Sequence, residues 1–194
     1  MKVAIIKYSA GNIFSVQLAL QRLGIEPMVS NEPQVIKTAD SVIFPGVGAA
    51  ETAMEDLKKS GLADIIPRLR QPFLGICLGL QLLCSHSSEN DTAGLSVFDL
   101  DVRLFPPEGK VPHMGWNTIS ELKGPLFKNI ANGNYVYFVH SYYASPSEKL
   151  ATAMANYIVP FSAALQKDNF FAVQFHPEKS GHIGEIILRN FLAL

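Results

Sequence analysis

Pro72-Phe73-Leu74-Gly75-Ile76-Cys77-Leu78-Gly79-Leu80-Gln81 is the stretch on which the reading of this chain turns. An apolar run reaches a cysteine flanked two residues to either side by glycine, and a helical pattern begins directly after it. Gly-x-Cys-x-Gly is the thiol form of the nucleophile elbow, a sharp strand-to-helix turn that holds a reactive side chain clear of a sheet. Glycines at those two positions leave room that a Cβ would fill. The helix start beside the thiol supplies unpaired N–H groups, which favour the thiolate. A buried structural cysteine is the plainer alternative, and five residues do not separate the two.

A second stretch does. Phe170-Phe171-Ala172-Val173-Gln174-Phe175-His176-Pro177-Glu178 reads as another apolar strand that stops at a histidine. Pro177 cannot donate to a sheet ladder, so it ends the strand and leaves His176 at the tip. Side chains two apart on extended backbone share a face, so Glu178 can accept from one ring nitrogen of His176 while the other faces out. Cys77, His176 and Glu178 are then nucleophile, base and orienting acid.

The remaining bulk properties narrow the class. A chain of 194 residues, 48% of them apolar, fits a single domain over 1–194 with a large core. Sixteen basic residues against seventeen acidic ones mark neither a nucleic-acid face nor an acidic tail. The opening Lys2-Val3-Ala4-Ile5-Ile6 reads as a strand and not as a secretory signal. No apolar run approaches the roughly twenty residues of a membrane span, so a soluble cytoplasmic protein is expected. Cys77 and Cys84 fall on one predicted helix, roughly 10 Å apart along its axis, too far for a disulfide. Cys84 reads as a small buried hydrophobe. The five histidines form no His-Glu-x-x-His motif and the cysteines no Cys-x-x-Cys, so no metal is expected, and no cofactor is called for.

Strand and helix patterns alternate through the first half: strands at 2–7, 27–29, 41–44 and 73–76, helices at 11–23, 49–57, 62–69 and 78–84. That order predicts an α/β fold with a mostly parallel sheet, helices on both faces, and ligands beyond the carboxyl ends of the strands. From 86 to 146 extended patterns dominate (97–104, 116–119, 135–140), read as an antiparallel β extension attached to the same sheet. Two more such runs, at 150–156 and 162–166, lead into the His176 strand, and residues 181–194 form a closing helix. Pro45-Gly46-Val47-Gly48 follows a strand and opens a helix, so the amides of Gly46, Val47 and Gly48 can line an anion site. It is no dinucleotide fingerprint, because the third glycine would fall at Glu51. The elbow itself offers the Leu78 amide to an oxyanion. Gln81 lies one helical turn beyond Cys77 and so faces the same pocket.

Gly75-Ile76-Cys77-Leu78-Gly79-Leu80-Gln81 and Gln174-Phe175-His176-Pro177-Glu178 together resemble the class I (triad) glutamine amidotransferases, which release ammonia from glutamine through a Cys-His-Glu triad. Within that class the chain is similar to the glutaminase subunits of imidazole glycerol phosphate synthases, of the histidine pathway. Lys110-Val111-Pro112-His113-Met114-Gly115-Trp116-Asn117 carries that narrower likeness, with Tyr137-Phe138-Val139-His140-Ser141-Tyr142-Tyr143 and the segments Glu178-Lys179-Ser180 and Arg189-Asn190-Phe191-Leu192. The resemblance implies a flavodoxin-like α/β fold, an oxyanion hole from the Val47 and Leu78 amides, and glutamine contacts at Gly46, Gly48, Gln81, Glu89, His140, Ser141 and Tyr142. It also implies a partner, the (β/α)₈-barrel cyclase subunit of imidazole glycerol phosphate synthase, docked on Met114, Trp116, Asn117, Tyr137 and Lys179. Such family members are poor glutaminases alone, which a Val47 amide turned away at rest would explain.

One motif departs. The family usually reads Ile-Asp-Tyr-Gly-x-Gly-Asn, and this chain has Ile6-Lys7-Tyr8-Ser9-Ala10-Gly11-Asn12. The reversed charge at Lys7 bears on partner contacts more than on glutamine hydrolysis. Three alternatives stand beside the main reading: a glutaminase subunit for pyridoxal phosphate or anthranilate synthesis, a cysteine peptidase or esterase, and a silent binding subunit. The Pro112–Asn117 run argues against the first. Gln81 and the His-Pro-Glu spacing have no evident role in the second, and the intact Cys77, His176 and Glu178 weigh against the third.

Overall fold

Four strands with every residue buried form the centre of the molecule, and their sequences are near-continuous apolar runs: Val3–Ile6, Ser41–Gly46, Phe73–Cys77 and Phe170–Val173. Such runs belong to parallel strands covered on both faces. The computed structural model describes residues 1–9 and 12–194. In chain order the first half is β1 (Val3–Ile6), α1 (Ile13–Arg22), β2 (Met28–Ser30), α2 (Pro33–Thr38), β3 (Ser41–Gly46), α3 (Ala50–Lys59), α4 (Leu62–Ile65), β4 (Phe73–Cys77) and α5 (Leu78–Leu83). Then follow β5 (Cys84–Ser87), β6 (Thr92–Ala93), β7 (Phe98–Leu104), β8 (His113–Thr118), β9 (Tyr135–His140), β10 (Tyr142–Ala144), β11 (Ala151–Asn156), β12 (Pro160–Lys167), β13 (Phe170–Val173) and α6 (Gly181–Leu192).

The central sheet has the order β11-β12-β13-β4-β3-β1-β2, parallel from β13 through β2 and antiparallel where β12 and β11 are added. Period-two alternation divides its side chains between two layers. Val3, Ile5, Ile43, Leu74 and Ile76 meet Val16 and Leu20 of α1 and Ile187 and Phe191 of α6. Ala4, Ile6, Val42, Phe44 and Phe73 meet Ile36, Met54, Leu57, Leu62 and Leu83 from α2 to α5. In the second layer Phe44, Phe73 and Phe170 form a run of rings at centroid distances of 5.9 and 5.2 Å. Burying each such side chain stabilises the fold by about 2 kcal/mol.

Local chemistry sets the ends of the elements. The Asn12 side chain accepts from the Ser15 N–H at 3.3 Å and caps α1. The predicted start at Gly11 lies outside the described residues. Pro67 stops α4 early, so the expected helix over 62–69 becomes α4 followed by a 3₁₀ turn, Ile66–Arg68. The sequence reading missed α2, which begins on Pro33 at its first turn and runs for six residues. β3 continues two residues past the expected Phe44, to Gly46.

Two corrections are larger. Helix α5 ends at Leu83 and Cys84 opens β5, pairing in parallel with Phe98, so the two cysteines do not share a helix. Both are free thiols, and burial pushes the Cys84 thiol up, with Asp101 adding to it. Apart from a bridge between Ser120 and Met154 of β11, the segment 86–146 adds no strand to the central sheet. It makes a four-stranded sheet of order β10-β7-β5-β6 and a separate hairpin, β8-β9. The edge beside β13 is already taken by β12 and β11, which form the antiparallel extension instead. Among the described residues no helix is long and apolar enough to cross a membrane.

Gly79 gives a sharp test of how closely these layers approach. A Cβ there would overlap the Phe44 carbonyl oxygen, which is backbone and cannot swing aside. Gly79→Ala is expected to lower the unfolding free energy by about 3 kcal/mol or more, read in urea titrations against wild type. A change below about 0.5 kcal/mol would mean that α5 and β3 are not held this close.

Candidate active site

β4 turns into α5 within one residue, and that residue is Cys77, at φ +54° and ψ −106°. Positive φ in a residue with a Cβ costs on the order of 1–3 kcal/mol and persists only where its surroundings impose it. Here three glycines do so. Gly79 lies against the Phe44 carbonyl, a Cβ on Gly75 would come 2.9 Å from the Gly79 oxygen, and one on Gly46 would come 2.8 Å from Leu78 Cβ. Cys77 is 5% exposed. Its thiol lies 3.6 Å from the Val139 carbonyl oxygen, to which it donates, and 3.6 Å from Gln174 Nε2, from which it accepts.

The His176 imidazole reaches the same place from the neighbouring strand end. β13 stops at Val173, three residues earlier than the sequence reading expects. The chain is then held by Gln174 N–H on the Ala163 carbonyl at 2.8 Å and His176 N–H on the Tyr137 carbonyl at 2.9 Å. Pro177 starts a 3₁₀ turn, Pro177–Lys179, so Glu178 meets His176 across a turn and not along an extended face. The outcome is the expected pair: Nδ1 to Glu178 Oε1 at 2.8 Å, with both side chains almost wholly buried. Nε2 of the ring and Oε2 of the acid have no hydrogen-bond partner. Burial pulls the imidazole down, but negative charge on Cys77 first and on Glu178 second outweighs it, pushing the ring up to about 10.

A cleft of about 200 Å³ opens over the thiol. Val47, Gly48, Leu78, Gln81 and Glu89 line one side, and Val139, His140, Ser141 and Tyr142 the other. Gly46 is not among them; it is buried beneath, against Leu78 and the Tyr8 hydroxyl. Gln81 donates both amide hydrogens inward, to the Tyr142 carbonyl at 2.9 Å and to Gln174 Oε1 at 3.1 Å. Glu89 accepts the Ala50 N–H on Oε2 at 2.8 Å, which satisfies the first turn of α3. Tyr8 donates to the Pro45 carbonyl at 2.7 Å and so pins the loop before Val47. Burial, and then Cys77, push its phenol up, so it stays a donor.

The expected interface residues lie on and beside the β8-β9 hairpin. Met114 and Trp116 are 61% and 55% exposed, so Trp116 is no core residue. Trp116 packs edge-on to Tyr137 at 5.8 Å. Lys179 is exposed, immediately after the acid of the buried pair. Asn117 is turned partly inward, donating to the Asn156 carbonyl at 2.9 Å and to His113 Nε2 at 3.3 Å. At the departing motif, the Ser9 N–H donates to Asp56 Oδ2 at 3.0 Å. Gln174, between Gln81 and Cys77, His113, Tyr8 and Val139 all make contacts here and have no individual role in the sequence reading. A glutamine inside an apolar strand run was the available signal for the first.

The raised His176 has a thermodynamic signature. A folded value of about 10 against an ordinary 6.5 means that its contribution to stability is complete below pH 6.5 and is lost as pH rises through about 10. The gap in unfolding free energy between wild type and His176→Gln should therefore narrow across that window. A gap that widens would show the ring buried in its neutral form.

Comparison with known proteins agrees with this geometry. Residues 6–194 match the family described as Glutamine amidotransferase class-I. Over 100% of both chains, the protein is 60% identical to imidazole glycerol phosphate synthase subunit HisH of Bacteroides fragilis. It is 55% identical to that of Bacteroides thetaiotaomicron and 46% identical to that of Escherichia coli K12, again over the whole of both chains. A crystal structure described as a glutamine amidotransferase superposes with a TM-score of 0.75 at 18% identity, covering 100% of this chain and 98% of the other. PurLQS from Thermotoga maritima does so at 0.70 and 16%, covering 99% and 97%; at such identities the two share the fold. The chain belongs to the class-I glutamine amidotransferase family and, within it, to the HisH subunits of imidazole glycerol phosphate synthase.

Proposed function

We propose that the cleft hydrolyses glutamine to glutamate and ammonia, and that the ammonia passes to a (β/α)₈-barrel cyclase subunit docked on the Met114–Trp116 face, in histidine biosynthesis. One observation carries the chemistry: a cysteine forced into left-handed backbone at the floor of a cleft, beside a buried imidazole whose far nitrogen is held by a carboxylate at 2.8 Å.

The amide of glutamine is a poor electrophile, so three things are needed together. Cys77 Sγ attacks the amide carbon while His176 keeps the thiol proton. The carbonyl oxygen becomes an oxyanion, met by the Leu78 amide beyond the elbow and by the Val47 amide on the same side of the cleft. As the tetrahedral species collapses, the C–N bond breaks and His176 Nε2 delivers its proton to the nitrogen, which leaves as ammonia. Water, deprotonated by His176, then attacks the thioester. The C–S bond breaks, glutamate forms, and the thiol regains its proton. Glu178 keeps the ring in the tautomer and orientation both halves require.

Binding follows from the same contacts. With both amide hydrogens of Gln81 donated inward, its carbonyl oxygen is what it can offer, an acceptor for an N–H of the substrate. Glu89 uses one oxygen on Ala50 and keeps the other for the ammonium. The backbone of Gly48, Ser141 and Tyr142, with His140 behind it, forms the remaining wall. On the outer face, an exposed tryptophan and methionine two residues apart, with Tyr137 and Lys179, suit a buried interface centre. There the barrel would use ammonia on a phosphoribulosyl-formimino carboxamide nucleotide.

Cys77→Ala should lower glutamate release by about 10³-fold or more while leaving complex formation with the barrel subunit intact. Trp116→Ala should weaken that complex by about 2 kcal/mol in calorimetric titration. Glutamate release by Cys77→Ala near the wild-type rate would refute the thioester route.

A further inference from the structure

Two histidines outside the triad are bonded to each other inside the protein. His113 on β8 and His140 on β9 face across the hairpin, with Nδ1 of the first 3.0 Å from Nε2 of the second. His140 Nδ1 lies 2.8 Å from the Tyr142 carbonyl oxygen. A carbonyl only accepts, so His140 carries its proton on Nδ1 and its Nε2 is bare. The bare nitrogen must be given a hydrogen, so His113 donates from Nδ1. Its own Nε2 then accepts from Asn117 Nδ2 at 3.3 Å. One backbone oxygen thereby dictates the tautomer of both rings.

Both rings are neutral at pH 7. Burial pushes His113 down to about 4, and His140 to about 3, where the positive charge of His113 and His176 adds to it and the bond to Tyr142 only partly opposes. His113 is also stacked between Tyr157, at a centroid distance of 4.0 Å, and Phe138, at 4.8 Å.

The Tyr142 carbonyl is a junction. It accepts from His140 on one side and from Gln81 Nε2, at 2.9 Å, on the other. Gln81 continues to Gln174 at 3.1 Å, and Gln174 to Cys77 Sγ at 3.6 Å. The carbonyl belongs to the wall of the cleft, and Asn117 belongs to the outer hairpin. Hydrogen bonds therefore run without a break from the hairpin edge to the thiol.

We propose that His113 is a positioning residue for glutamine: by donating to His140 Nε2 it holds that ring in place against the Tyr142 carbonyl, and with it the Gln81 amide and the Ser141–Tyr142 wall. The consequence for glutamine rests on the glutaminase reading above; the tautomers do not. His113 lies behind the wall and acts on the substrate only through these groups.

Two variants of the full chain, assayed in complex with the barrel cyclase, separate hydrogen bonding from packing. His113→Phe keeps the stack and removes the donor; His113→Asn places an amide N–H where Nδ1 was and loses the stack. The first should raise KM for glutamine by about tenfold or more with kcat within about threefold, and the second should stay within about threefold of wild type in KM. The reverse order overturns the proposal, since it would make His113 a packing residue. Nitrogen NMR of the wild-type chain supplies a measurement independent of both variants. Each ring should show a protonated Nδ1 and a bare Nε2 at pH 7, and a doubly protonated ring or the opposite tautomer overturns the relay. Wild-type complex that releases no glutamate defeats the glutaminase reading instead, with the NMR result still deciding the relay.

Discussion

The close approach of α5 to the end of β3 governs the site. Gly79 lies so near the Phe44 carbonyl that the chain leaving β4 has no space for a gradual bend. It must reverse at one residue, and Cys77 takes the left-handed conformation that results. The strain at that residue is balanced by the apolar layer between the sheet and α2 to α5, where Phe44, Phe73 and Leu83 bury their whole surface. Position and reactivity therefore have one origin, because the turn that aims the sulfur is the turn that the packing compels.

Parallel strands bring the other participants to the same edge. Gly46 is paired with Cys77 and Val173 with Ile76, so the residues that follow β3 and β13 emerge beside the thiol. Val47 and Gln174 arrive one residue after those pairs, and His176 two residues beyond Gln174. Groups roughly a hundred positions apart in sequence meet because three strand ends are level, which is the general reason that ligands collect at the carboxyl edge of such sheets. The contact of His176 with Glu178 is local by comparison, produced by Pro177 and the turn it starts.

Much of this was legible in the chain itself, for reasons that also explain the gaps. Continuous apolar runs identify strands covered on both faces, and glycines around a cysteine announce a turn that excludes side chains, so β1, β3, β4 and the elbow follow directly. Periodicity reports which face a residue occupies but not which strand lies next to it. Hence β7, β8 and β9 could be recognised, unlike the short β6 and β10, without revealing that they leave the central sheet. Cys84 fits a helical period as well as a strand, and its place was decided by pairing with Phe98, a partner no local pattern indicates. Six residues of α2 are too few for a period to show. At the site, Cys77, His176, Glu178 and Gln81 stand out by spacing. Gln174 and His113 acquire contacts only when strands far apart in sequence come together.

The β8-β9 hairpin has two faces with different tenants. Met114 and Trp116 point outward with Tyr137, while His113 and His140 point inward with Phe138, and the strict alternation of the pleat keeps the two sets apart. A ribbon of this kind carries two messages in one thread, written on odd and even letters. Sliding one strand by a single position would exchange them, driving an indole among the interior rings and exposing an imidazole to solvent. The connection over 119–134 is thus a phase keeper as much as a linker, and changes in its length are compatible with the molecule only when they preserve that frame.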